Sequence, residues 1–145
     1  AIDLLVRAFC RAGEDSVVIT PPTFGFYKVA ARIQGATVTE VPLLRPGFAL
    51  DAPAVIEAGR RAKIVFLCSP NNPTGNLLDD ELMLQACREL AVPLVAIGGI
   101  DAQNGAQLLE AGANALAVIS AVFSAPYIEQ AAREFSNLFE QGKQT

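Results

Sequence analysis

The residues with chemistry to offer fall in two places, a glycine turn and an amide-rich loop. In Leu94-Val-Ala-Ile-Gly-Gly-Ile100 a mostly apolar run enters two glycines, and a helix pattern follows at once. A strand end, tight turn and helix start of this kind exposes backbone N–H groups, which makes Gly98 and Gly99 a natural anion seat. The second place is Ser69-Pro-Asn-Asn-Pro-Thr-Gly75, where two prolines and two amides force an irregular loop. Its Asn72 is a turn former by type, and Phe24 reads as an aromatic at a helix start. Proton transfer is poorly served, because the chain has no histidine and so lacks the usual base near neutral pH. Lys28, Lys63 and Lys143 fall in a helix pattern, at a strand start and in the tail.

These groups need elements to hold them. Ile2, Leu5, Val6 and Phe9 mark an apolar stripe at helical period, ended by Gly13. Ser16–Thr20 is a β-branched strand, and Pro21-Pro22-Thr23 turns the chain. A helix over 24–34 ends at Gly35. Residues 36–44 alternate as a strand whose Pro42 suits an edge. A short helix starts near Asp51-Ala-Pro53 and ends near Gly59. Lys63–Cys68 is a continuous apolar run of the kind covered on both faces. Helix 80–91 is capped by Asp79 or Asp80. Strand 94–97 leads to a helix capped by Asp101 or Asn104 and stopped at Gly112. Strand 115–119 and a helix over 126–141 complete the pattern, with Ile128, Ala131, Ala132, Phe135, Leu138 and Phe139 facing inward.

Strict strand–helix alternation predicts an α/β fold with a parallel sheet and right-handed crossovers. The loops Thr20–Phe24, Ser69–Asn72, Gly98–Gly99 and Ser120 then share one rim, where a phosphate or sulfate ion is the expected partner. The 145 residues are 52% apolar, enough for one domain with a good core. A net charge of −4, with no basic cluster beyond Arg60-Arg61, argues against a nucleic-acid partner. No apolar run approaches the roughly 20 residues of a membrane span. Cys10, Cys68 and Cys87 lack metal-type spacing and read as reduced, buried thiols, so no metal is expected. No signal peptide is evident, and the chain opens inside a helix pattern without a cap, as an excised fragment would.

Residues 1–91 resemble the large domain of histidinol-phosphate aminotransferase, a fold-type-I PLP enzyme. The resemblance is carried by Ala1–Phe9, Thr20-Pro-Pro-Thr-Phe-Gly-Phe-Tyr27 and Cys68-Ser-Pro-Asn-Asn-Pro-Thr-Gly75. It implies that Phe24 stacks on the pyridine ring and that Asn72 hydrogen-bonds the pyridine 3-oxygen. It also implies that the glycine-led phosphate loop precedes Ala1. The segments with the pyridinium-binding Asp, the cofactor-bearing Lys and the substrate-carboxylate Arg would lie past the point where the resemblance stops. None of the three lysines matches that Lys, so these contacts are expected to be vestigial and no cofactor is expected.

Residues 92–142 resemble the last two β/α units of thiamine-phosphate synthase, a TIM barrel, through Val92–Ile100, Leu108-Leu-Glu-Ala-Gly-Ala113 and Ala117-Val-Ile-Ser-Ala121 with Phe123. This implies phosphate binding by amides at Gly98, Gly99, Ile119 and Ser120. Taken together, the two resemblances lead us to expect an engineered chimera, a fold-recombination protein without catalytic activity. The alternative is a weak binder of phosphate or a phosphorylated small molecule at the glycine rim. The expected architecture is a single three-layer domain over 1–145, made of segments 1–91 and 92–145. Its five-stranded parallel sheet would have the flavodoxin-like order 2-1-3-4-5. Edge strand 115–119 would allow a monomer or weak homo-oligomer. The enzymes it resembles would be cytoplasmic.

Overall fold

A computed structural model of the protein describes residues 1–90 and 92–141. It divides into two compact units, Ala1–Ala91 and Val92–Thr145.

The first unit is built on β1 (Ser16–Ile19), which lies between β2 (Thr37–Glu40) and β3 (Ile64–Phe66) in a parallel sheet of order β2-β1-β3. Val17 pairs with Val38 on one side and Ile64 on the other, and Ile19 with Glu40 and Phe66. The central place follows from composition: Val17, Val18 and Ile19 are apolar on both faces and all are buried. On one face, Val17, Ile19 and Phe66 pack with Val6 and Cys10 from α1 (Ile2–Phe9) and its end and with Ala30 and Ala31 of α2 (Phe26–Gln34). Opposite them, Val65 packs with Val55 of α3 (Ala52–Gly59) and Leu82 and Met83 of α4 (Asp80–Leu90). The helices therefore cover the sheet on both faces.

Helix ends follow local chemistry. Gly35 closes α2 at φ 79°, a left-handed conformation that glycine adopts without a Cβ clash. The Asp51 carboxylate accepts from the Ala54 amide at 3.1 Å, with Pro53 in the first turn of α3. Strand β2 ends at Glu40, and Pro42 faces the open edge, since the Val41 and Leu43 amides on either side of it still donate to Ile19 O at 2.9 Å and Pro21 O at 2.8 Å. The α1 stripe is narrower than its spacing predicts, since Val6 is buried but Phe9 is exposed.

In the second unit, β4 (Val95–Ile97) and β5 (Ala115–Ala117) pair in parallel, Val95 with Ala115 and Ile97 with Ala117. Helices α5 (Ala102–Glu110), α6 (Ser120–Phe123) and α7 (Ile128–Gln141) complete it. Its core is Ile100, Val122 and Phe135, joined by Ala96, Leu108, Leu116 and Leu138. Helix α5 comes close at Gly105, where a Cβ would stand 3.1 Å from Leu116 Cδ1 and 3.2 Å from Leu138 Cδ1. Of the residues expected to face inward on α7, Phe135 is buried and Ile128 is exposed. Among the described residues, no helix is long and apolar enough to cross a membrane.

The five-stranded sheet of order 2-1-3-4-5 is corrected: the described strands form one sheet of three and one of two. The expected ladder between Ile64–Cys68 and the segment after residue 92 is not formed. Strand–helix alternation dictates the hand of each crossover but not which strand a later unit pairs with. With three residues in each of β3 and β4, few ladder bonds specify that choice.

Two outcomes follow for the first unit. Val17→Ala should cost about 2 kcal/mol in urea unfolding, from lost burial and the cavity left behind. Val29→Ala, at a site 47% exposed, should stay within about 0.5 kcal/mol. Asp15 contributes to the acid limb of the stability profile. Its carboxylate accepts the Arg11 backbone amide at 2.7 Å, and that bond, with help from the Arg11 guanidinium, holds its pKa below the ordinary carboxylate value. The resulting stabilisation is complete above pH about 4 and is lost as pH falls through the depressed folded value. Asp15→Asn should flatten that acid limb in a series of melts at different pH.

Candidate functional site

Strands β1 and β3 are parallel neighbours, so the loops leaving their carboxyl ends rise from the same end of the sheet. The loop after β3 is braced from within. Gly75 donates to Asn71 O at 2.7 Å, and the Asn71 amide donates to Asn76 O at 2.8 Å. The Leu78 amide donates to Ser69 Oγ at 3.1 Å. The two asparagines then part company. Asn71 points inward and is 3% exposed. Its Nδ2 donates to Pro22 O at 2.8 Å and to Thr74 Oγ1 at 2.6 Å. Asn72 is left exposed.

The loop after β1 presents aromatics. Phe24 is 39% exposed and stands edge-on to Tyr27, with ring centres 5.6 Å apart. Tyr27 in turn lies flat on Phe66 at 4.6 Å, with the ring planes within 9° of parallel. The Asn71–Pro22 bond joins the two loops, one residue from Asn72 and two from Phe24. The loop that carries the exposed Phe24 ring and the loop that carries the exposed Asn72 carboxamide are thus tied by one hydrogen bond. Buried polar atoms collect in the same loops: Thr20 Oγ1, Thr23 Oγ1 and Asn71 Oδ1 have no protein partner. The groups open to a ligand are the Phe24 ring face and the Asn72 amide, a flat apolar surface and a donor that would suit the ring side of a pyridine cofactor. Lys28 is paired with Glu40 at 2.5 Å, and Lys143 lies outside the described residues.

Sequence reasoning passed over Asn71 and the Tyr27–Phe66 stack. The neighbouring asparagines Asn71 and Asn72 are chemically identical, so type alone does not say which one turns inward.

The second unit holds the other expected group. Gly98 and Gly99 take φ of 90° and 62° with open space where a Cβ would stand. The β4–β5 pairing puts them at the same end as Ile119 and Ser120, which are exposed. The α5 amides beyond the turn are already engaged. Asp101 Oδ1 accepts from Gln103 N at 2.9 Å and Asn104 N at 2.8 Å, while Asn104 returns hydrogen bonds to the turn. The helix start is therefore closed by a carboxylate of its own chain.

The sequence pattern described as "Aminotransferase class I and II" matches residues 1–96. The chain belongs to the class I and II aminotransferase family. A histidinol-phosphate aminotransferase of Stenotrophomonas maltophilia is 48% identical over 129 residues, covering 82% of this chain and 35% of the relative. Aspartate aminotransferase from Thermus thermophilus, solved with maleate, is 31% identical with a TM-score of 0.58, over 66% of this chain and 26% of that one. The PLP-bound C-S lyase from Staphylococcus hominis shares the fold at 23% identity and a TM-score of 0.57, over 67% of this chain and 26% of the lyase. The chain spans roughly a third or less of the length of the curated relatives it matches.

These comparisons correct two expectations. The engineered, inactive chimera is not supported: the relatives are histidinol-phosphate aminotransferases of bacteria, an enzyme family. A match over 82% of the chain cannot be contained in the first 91 residues, so residue 91 does not bound the resemblance. The expectation of no cofactor falls with it, since the chain belongs to an aminotransferase family whose fold is shared by solved PLP-bound enzymes.

Tyr27 supplies a measurable signature of the site. Burial, with the Cys68 thiol beside it, pushes its hydroxyl well above the usual tyrosine range. The neutral phenol is thus favoured by folding, and the stabilisation it gives is complete below pH about 10 and fades as pH rises toward the raised folded value. Stability followed from pH 8 to 11.5 should decline at the alkaline end in the parent chain, and more weakly in Tyr27→Phe.

Proposed function

We propose that this chain supplies the ring-facing wall of a PLP site in an aminotransferase acting on histidinol phosphate. Phe24 would stack on the pyridine ring, and Asn72 Nδ2 would donate to its 3-oxygen. The observation that carries the reading is the Asn71–Pro22 hydrogen bond, which ties together two loops whose next polar and aromatic side chains are exposed. The names of the relatives support the substrate and reaction class. When bound, PLP supplies an electron sink for amino-group transfer. The residues described here orient and hold: Phe24 offers a flat apolar face, Asn72 a donor that ranks one oxygen of the ring above the others, and Tyr27 with Phe66 a backing that keeps Phe24 in place. The remaining elements of the catalytic centre belong to the whole enzyme.

The test is a titration of the isotopically labelled 145-residue chain with PLP and with pyridoxine, which has the ring without the phosphate. Both ligands should shift the signals of Phe24 and Asn72. Asn72→Ala should weaken pyridoxine binding about five- to tenfold, the worth of one hydrogen bond. Shifts confined to other residues, or unchanged affinity in both Asn72→Ala and Phe24→Ala, would overturn the assignment.

A further inference from the structure

We infer that Asn71, rather than any ligand-facing group, is the positioning residue that couples the Phe24 loop to the Asn72 loop. This rests on the proposed ring contacts but reaches beyond them, to a residue that touches no ligand. A primary carboxamide has two N–H donors, and Asn71 commits both of them: one to Pro22 O at 2.8 Å across the gap between loops, one to Thr74 Oγ1 at 2.6 Å within its own loop. Exchanging the oxygen and nitrogen of this amide would set an oxygen against the Pro22 carbonyl, so the network itself fixes the orientation.

The line of hydrogen bonds continues beyond Thr74. Thr74 Oγ1 donates to Asn76 Oδ1, and Asn76 Nδ2 donates to Phe48 O at 3.2 Å. Three separate connections, those after β1, β2 and β3, are thereby held by side-chain amides and one hydroxyl. Asn71 is the member that reaches the β1 connection. Asn71 is nearly fully buried, so water does not compete for its bonds. Thr74 reaches only its own loop and Asn76, so the two residues should differ in what they control. Asn71 sets the distance between Phe24 and Asn72, whereas Thr74 sets the shape of the Asn72 loop alone.

Hydrogen exchange on the unliganded chain tests the coupling without relying on PLP. In the parent protein the Asn71 side-chain amide should exchange at least tenfold more slowly than that of Asn72. This measurement stands even where a variant fails to fold, and equal rates would overturn the inference. In Asn71→Asp, which keeps the shape and removes both donors, the amides of residues 23–27 should exchange at least tenfold faster while Val17–Ile19 stay within twofold. Thr74→Val should leave residues 23–27 within twofold. Pyridoxine affinity should fall at least fivefold in Asn71→Asp with Phe24 and Asn72 both intact. Strand and loop amides rising together, or loop amides and affinity both unchanged, would reduce Asn71 to general stabilisation and end the proposal. Parent protein that fails to bind pyridoxine at Phe24 and Asn72 would instead refute the ring contacts, with the exchange result still deciding the coupling.

Discussion

The burial of β1 on both faces is the constraint from which the first unit follows. Three successive apolar residues, Val17, Val18 and Ile19, can satisfy their backbone groups only by pairing on both edges, and their side chains only beneath helices on both faces. Once β2 and β3 flank β1 in parallel, the connections after β1 and β3 must emerge side by side. The candidate site is a consequence of that adjacency, since neither loop alone offers both an aromatic face and an amide.

Much of this was legible in the sequence because the governing rules are local. The apolar run at 16–20, the glycine at 35 and the Asp51-Ala-Pro53 start each specify an element through a few neighbouring residues. The pairing of β4 was not legible, because it depends on which strand edge a three-residue segment finds, and alternation of strands and helices is silent on that. The kinship of the chain was read too narrowly for a related reason. Short glycine-rich turns such as 98–99 serve any strand-to-helix passage, so they resemble several folds at once, while the match to an aminotransferase relative runs on past them.

Asn71 and Asn72 illustrate a second limit. Sequence identifies the pair as notable through its loop of prolines and amides. Which of the two is swallowed by the fold depends on a carbonyl 49 positions away, that of Pro22. A residue that binds a ligand and a residue that holds it there have the same composition here and opposite surroundings. At the glycine turn a comparable distinction arises, for Asp101 gives the α5 amides of Gln103 and Asn104 a partner from within the chain.

The aromatic series from Phe24 through Tyr27 to Phe66 has a mechanical meaning. Its outer ring meets solvent and its innermost lies among the side chains of the α1–α2 face. A planar molecule settling on Phe24 would press against a pillar footed in the interior, not against a yielding flap. Any sideways give at the mouth would have to slide Tyr27 across Phe66 and loosen the packing below, so firmness at the surface is borrowed from the depth of the fold.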